Sequence, residues 1–174
     1  MASYKIGRIA GLKISATRST PVAALALWIV FTGIGLFVLK FSPLEAILGG
    51  LAATALHYAG EFLHQYGHSL AAKATGYPMT GVRFWLLLST SLYPRDEPEL
   101  PAAVHIRRAW GGPVVSLLLG GIATVLVVLF GISGVLGWLL AFFAFDNIFV
   151  FGLGALLPLG FTDGSTLLYW WGKR

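Results

Sequence analysis

The residues best placed to do chemistry are His64 and His68, four apart in the run His64-Gln65-Tyr66-Gly67-His68 inside a long apolar stretch. Residues at this spacing share one face of a helix, so two imidazoles can bind a single metal ion. In the zinc motif H-E-x-x-H the histidines hold the metal and the glutamate is the general base. Here Gln65 stands where that glutamate would be. A primary amide has no basic site at neutral pH, so the run suggests a metal site and argues against ordinary hydrolysis.

The histidines belong to a wider polar stripe. At about 100° per residue, His57, Glu61, His64 and His68 fall within about 60° of one another on a helix, and Gln65 lies at the margin. Ionisable groups at membrane depth are costly and must share partners, water or a metal. The residues alone leave two readings open. One is a hydrogen-bonded seam between helices; the other is a metal held by His64 and His68 with a third ligand from elsewhere. Glu61, one turn before His64, is placed to orient that ring, to act as a substitute base, or to pair with His57. Asp146-Asn147 reads as a hydrogen-bonding link between helices.

The elements that must position these groups are membrane spans. Of 174 residues, 57% are hydrophobic and 11% charged, whereas about a quarter are charged in soluble domains. Mean hydropathy is +0.80. No cysteine is present, which excludes disulfides and thiolate metal sites. The net charge of +5 flanks apolar segments instead of forming one stripe, so the expected partner is the lipid bilayer and not nucleic acid.

The expected fold class is an all-α integral membrane protein of one domain, with about four transmembrane helices and a small interfacial β-hairpin. Spans are expected near 21–39, 44–75, 110–130 and 138–157, after an interfacial N-terminal segment over 1–20 that reads as a strand or a short amphipathic piece. Pro21 suits a first helical turn, and Gly76-Tyr77-Pro78 ends the second helix. The hairpin is expected over 79–93, with a turn at Ser89-Thr90-Ser91, and a terminal helix over 163–172. With the N-terminus inside, eleven of the twelve Lys and Arg lie on cytoplasmic segments and only Lys40 lies outside. Both termini are therefore expected in the cytoplasm, with the chain integral to the cell (inner) membrane and the histidines near its cytoplasmic half.

Three further runs carry a resemblance. They are His68-Ser69-Leu70-Ala71-Ala72 followed by Gly76-Tyr77-Pro78-Met79-Thr80-Gly81-Val82, then Gly112-Pro113-Val114-Val115-Ser116, then Pro158 with Asp163-Gly164. Together with the histidines, and in this order over roughly residues 5–170, they resemble the site-2 protease family of intramembrane zinc metalloproteases. That family joins H-E-x-x-H on one membrane helix to an aspartate in N-x-x-P-x-x-x-L-D-G on a later one. The resemblance implies Zn2+ held by His64, His68 and Asp163, and a metalloendopeptidase acting on a transmembrane-helix protein. Main-chain pairing at a hairpin edge would present the extended substrate.

This chain departs from the family at two functional positions. Gln65 replaces the general base, and Ala155 replaces an asparagine implied to help bind substrate; Thr162 replaces the leucine beside the aspartate. The site residues expected to bear on catalysis are Gln65 and Glu61. Two functions stand side by side: a zinc-binding protease homologue with impaired or altered peptide hydrolysis, or an inactive pseudoprotease that binds a transmembrane helix or serves as a scaffold subunit of a membrane complex. Four histidines are too few for a desaturase, and three of them on one helix do not suit a haem held between spans.

Overall fold

The computed structural model describes residues 3–173; Met1 and Ala2, part of the expected N-terminal segment, and Arg174 lie outside them. Two strands open the chain, β1 (Ser3–Ile9) and β2 (Leu12–Thr17). Helix α1 (Ser19–Gly33) continues as a π-helical turn over Ile34–Val38, and α2 (Pro43–Ala74) follows. Strands β3 (Gly81–Trp85) and β4 (Leu88–Leu92) come next. Helices α3 (Ala102–Phe130) and α4 (Gly134–Phe145) complete the bundle, α4 running on through a π-helical stretch, Asp146–Leu153, and a 3-10 turn, Gly154–Leu156. The short helix α5 (Asp163–Trp171) ends the described chain.

Four of these helical segments are long and apolar enough to cross a membrane: Ser19–Val38, Pro43–Ala74, Ala102–Phe130 and Gly134–Leu156. Their outward residues are large and apolar, with Leu118, Val128 and Phe130 all more than 60% exposed. Lipid is a good solvent for such a surface, so the interior is left to small and polar side chains. Local signals set the helix ends. Ser42 caps α2 in a capping box with Glu45, Pro43 occupies its first turn, and Gly131 closes α3 in the left-handed conformation.

The β structure is larger than the expected hairpin. Its four strands lie in the order β1-β2-β3-β4, with β2 parallel to β3 and both outer pairs antiparallel. A parallel pair needs a crossover, and here α1 and α2 supply it. Leu12, Ile14, Ala16, Val82 and Phe84 pack on Ala72 and on the rings of Tyr58, Phe62 and Tyr66 along α2.

The expected turn at Ser89-Thr90-Ser91 is wrong. The chain reverses at Leu86-Leu87, and the serines lie within β4. Hydroxyls usually mark turns, but Ser89 and Ser91 face polar partners on α2, described below. The apolar turn is accommodated because α2 satisfies its backbone: the Tyr58 hydroxyl donates to the Leu86 carbonyl at 2.8 Å, and His57 Nε2 to the Leu87 carbonyl at 2.9 Å.

Helices α2 and α3 cross in backbone contact. A Cβ on Gly67 would run into the Gly111 carbonyl oxygen, and a Cβ on Gly111 into that of Gly67. Small residues allow such an approach where lipid offers no hydrophobic drive for association. Gly67→Ala is therefore expected to destabilise the protein by about 1–3 kcal/mol, the usual cost of overpacking. Gly121→Ala, on α3 where the added carbon meets open space, should be neutral or stabilising by about 0.5–1 kcal/mol. Thermal unfolding of the two variants in detergent checks the contrast.

Candidate metal centre

His64 and His68 project from α2 toward the start of α5, which carries Asp163. The three converge. His64 Nε2 lies 3.3 Å from Asp163 Oδ2, His68 Nε2 lies 3.3 Å from Asp163 Oδ1, and the two Nε2 atoms are 3.0 Å apart. Both histidines are buried, and Asp163 is largely enclosed. Burial pushes the Asp163 carboxyl up, but hydrogen bonds from His64 and His68 more than reverse this and hold it below the usual carboxylate range. It is an anion.

The rings are fixed from behind. His68 Nδ1 lies 2.8 Å from the Arg108 carbonyl and 3.2 Å from the Gly112 backbone nitrogen. His64 Nδ1 lies 3.1 Å from the Ser116 hydroxyl. These partners sit on α3 around Gly112, where a Cβ would overlap both imidazoles. The donor set suits zinc. Bonds of about 2.0–2.1 Å at a tetrahedral angle separate donor atoms by about 3.3 Å, close to the separations found here.

The remaining polar residues of the stripe divide into two groups. Glu61 Oε1 accepts from both the backbone N–H and the hydroxyl of Ser89, at 2.7 and 2.5 Å. Gln65 Oε1 accepts from the Ser91 hydroxyl at 2.7 Å. One turn apart on α2, the two side chains grip alternate residues of β4. His57 turns away: its Nδ1 lies 3.0 Å from Asp146 Oδ2, linking α2 to the π-helical stretch after α4. Glu61 thus pairs with Ser89 instead of His57, and Ser116, not Glu61, meets the His64 ring. Asn147 is fully buried beside them, with its amide donating to the Phe143 carbonyl.

A cavity of about 730 Å³ opens in front of this group. Glu61, Gln65, Ala155, Tyr93 and Trp170 are among its walls. Ala155 brings only a methyl to the cavity wall. Arg108 closes one side; it donates to Glu97 and to the Tyr77 carbonyl and lies over the Tyr93 ring. The hydrogen bond from Arg108 holds the Glu97 carboxyl below its ordinary range.

Sequence reasoning missed the serine clamp and the glycine that makes room for the imidazoles. Ser89 and Ser91 alternate along a strand, but the turn propensity of Ser-Thr-Ser masked that signal. Gly112 was visible within a motif, yet its steric role needs the neighbouring helix. If Glu61 holds β4 in place, Glu61→Ala should speed amide hydrogen exchange at Ser89 by about tenfold, the loss of about 1.4 kcal/mol of local protection. Exchange mass spectrometry over 88–92 reads this directly, and equal protection in both proteins would contradict the clamp.

No family model and no curated protein matches the sequence. Among solved structures, the Site-2 Protease from Methanocaldococcus jannaschii superposes with a TM-score of 0.69 at 20% identity, covering 96% of this chain and 70% of that one. At that identity the likeness is one of fold. With four potential spans, a small sheet and this superposition, the chain has a site-2 protease-like fold.

Proposed function

We propose that this membrane protein binds zinc through His64, His68 and Asp163 and is an intramembrane protease homologue with impaired peptide hydrolysis. The observation that carries the reading is the donor triangle, two imidazole Nε2 atoms and a carboxylate with separations of 3.0–3.3 Å. A zinc ion held there would supply Lewis acidity toward water and a peptide carbonyl.

The chain's own residues supply the rest. Asp163 brings negative charge, while Ser116 and the Arg108 carbonyl hold the rings in orientation. Strand β4 is the end strand of the sheet; Glu61 takes its Ser89 N–H, and the rest of its outer edge can pair with an extended peptide. Such pairing suits a transmembrane segment that must unwind before its carbonyls are accessible. Gln65 occupies the position of the base but cannot accept a proton, and its carbonyl oxygen already receives the Ser91 hydroxyl. Glu61 is assigned to holding β4, since one of its oxygens takes both hydrogen bonds from Ser89.

A second reading has its own support. The two side chains nearest the role of a base both bind β4, and Ala155 offers no hydrogen bond; this favours an inactive protein that binds a transmembrane helix as a scaffold subunit. The membrane assigned is the cell membrane with both termini cytoplasmic, supported by the basic residues beside the spans.

Elemental analysis of the detergent-purified protein should find about one zinc per chain, lost in His64→Ala/His68→Ala. No zinc in either sample would overturn the metal assignment. With zinc present, Gln65→Glu should raise cleavage of a transmembrane reporter peptide by about 10²–10⁴-fold, the usual worth of a positioned general base. A zinc-loaded Gln65→Glu protein that still cleaves nothing would favour the scaffold reading. An unaltered chain as fast as the variant would refute impairment.

A further inference from the structure

The sheet carries its apolar core on one face only. Leu12, Ile14, Val82 and Phe84 are buried toward α2. The period of two turns their neighbours Lys13, Ser15 and Arg83 to the opposite face, where Lys13 and Arg83 are exposed. Strand β1 sets Lys5 opposite Ser15 and Arg8 opposite Lys13, and the parallel ladder places Arg83 beside Ser15. Lys5, Arg8, Lys13 and Arg83 thus share one face of three adjacent strands. Among the described residues none of them joins an ion pair, and no strand of the sheet carries a carboxylate.

Among the described strands this face lacks a counter-charge. Arg8 and Lys13 are directly opposed in an antiparallel ladder, where Cβ atoms stand about 4.5–5.5 Å apart and like charges destabilise the pairing. An anion from outside relieves that repulsion.

Position identifies the anion. Strand β2 ends at Thr17 and α1 begins at Ser19, so the sheet joins the bundle where the first apolar span starts. That is the boundary between hydrocarbon and water. Strand β1 has the chemistry of this boundary on both faces. Opposite its cations, Tyr4 and Ile9 pair with the inward-facing Ala16 and Leu12. Yet they are 46% and 51% exposed, since β1 contributes nothing to the core over α2. A strand with apolar groups on one face and long cationic stems on the other fits a bilayer surface.

We propose that Lys5, Arg8, Lys13 and Arg83 form a binding face for the phosphate headgroups of anionic phospholipids, with Tyr4 and Ile9 seated among the upper carbons of the acyl chains. Each cation near an anionic surface contributes about fivefold in affinity. Lipid bound here would anchor the same sheet whose last strand is held by Glu61 and Gln65.

The test uses the full chain in a neutral detergent with equal amounts of phosphatidylglycerol and phosphatidylcholine, retained lipid being counted by native mass spectrometry. The unaltered protein should keep phosphatidylglycerol over phosphatidylcholine by about 10-fold or more. The combined variant Lys5→Gln/Arg8→Gln/Lys13→Gln/Arg83→Gln should lose most of this preference, while the charge-matched Lys40→Gln/Lys73→Gln/Arg95→Gln/Arg107→Gln should keep it. Equal retention of the two lipids, or equal loss in both variants, would overturn the proposal. Arg8→Gln alone gives a second readout that does not rest on the quadruple change. It should raise Tm in neutral detergent and shrink the rise in Tm on adding phosphatidylglycerol. Inorganic phosphate stabilising the unaltered chain as strongly as phosphatidylglycerol would refute a lipid site.

Discussion

At the crossing of α2 and α3, the backbones of Gly67 and Gly111 meet with no side chain between them. The geometry of the site depends on this approach. Gly67 lies between His64 and His68 on α2, and Gly111 lies next to Gly112 on α3, so the contact brings the imidazoles against the segment that holds them. A wider crossing would separate His64 from Ser116 and His68 from the Arg108 carbonyl. In water, larger apolar residues could drive such helices together; in lipid, close van der Waals contact must do so.

The second constraint is the cost of polar groups among apolar spans. His57, Glu61, His64, Gln65 and His68 are all buried, along with Asp146 and Asn147. Each of the five on α2 finds a partner on another element: Asp146 for His57, Ser89 for Glu61, Ser91 for Gln65, and Asp163 for the other two histidines. The seam therefore joins α2 to β4, to the segment after α4 and to α5. Its satisfaction organises the fold and the site together, because unpaired groups at this depth would each cost several kcal/mol, about 2–7 by transfer measurements.

The site is asymmetric in its chemistry. Three donors converge with the separations of a tetrahedral zinc site, yet the side chains around them serve to hold a strand. Gln65 accepts from the Ser91 hydroxyl, and its amide has no capacity to take a proton. The Gln65 side chain thus serves to hold β4 against α2. Arg108 shows the same economy, joining Glu97 and the Tyr77 carbonyl at one end while its own backbone carbonyl orients His68.

Much was legible in the residues themselves. Apolar runs of spanning length mark four helices because lipid demands continuous apolar surface and internal backbone hydrogen bonding. The i, i+4 histidines lie on one face because helical geometry is local, and the order of the short motifs points to Asp163 as their companion. The β elements were read less well. Strands β1 and β2 are distant in sequence from β3, and nothing local announces a parallel pairing made through an intervening helix pair. Ser89 and Ser91 looked like a turn because their partners, Glu61 and Gln65, belong to another element. His57 could be placed on its stripe but not matched to Asp146, which lies across the bundle. The sequence by itself determined the solvent, the spans and the faces of the helices, all properties of short-range geometry and transfer free energy. The tertiary structure decided which polar groups meet, since partners far apart in sequence are chosen by helix crossing and close packing.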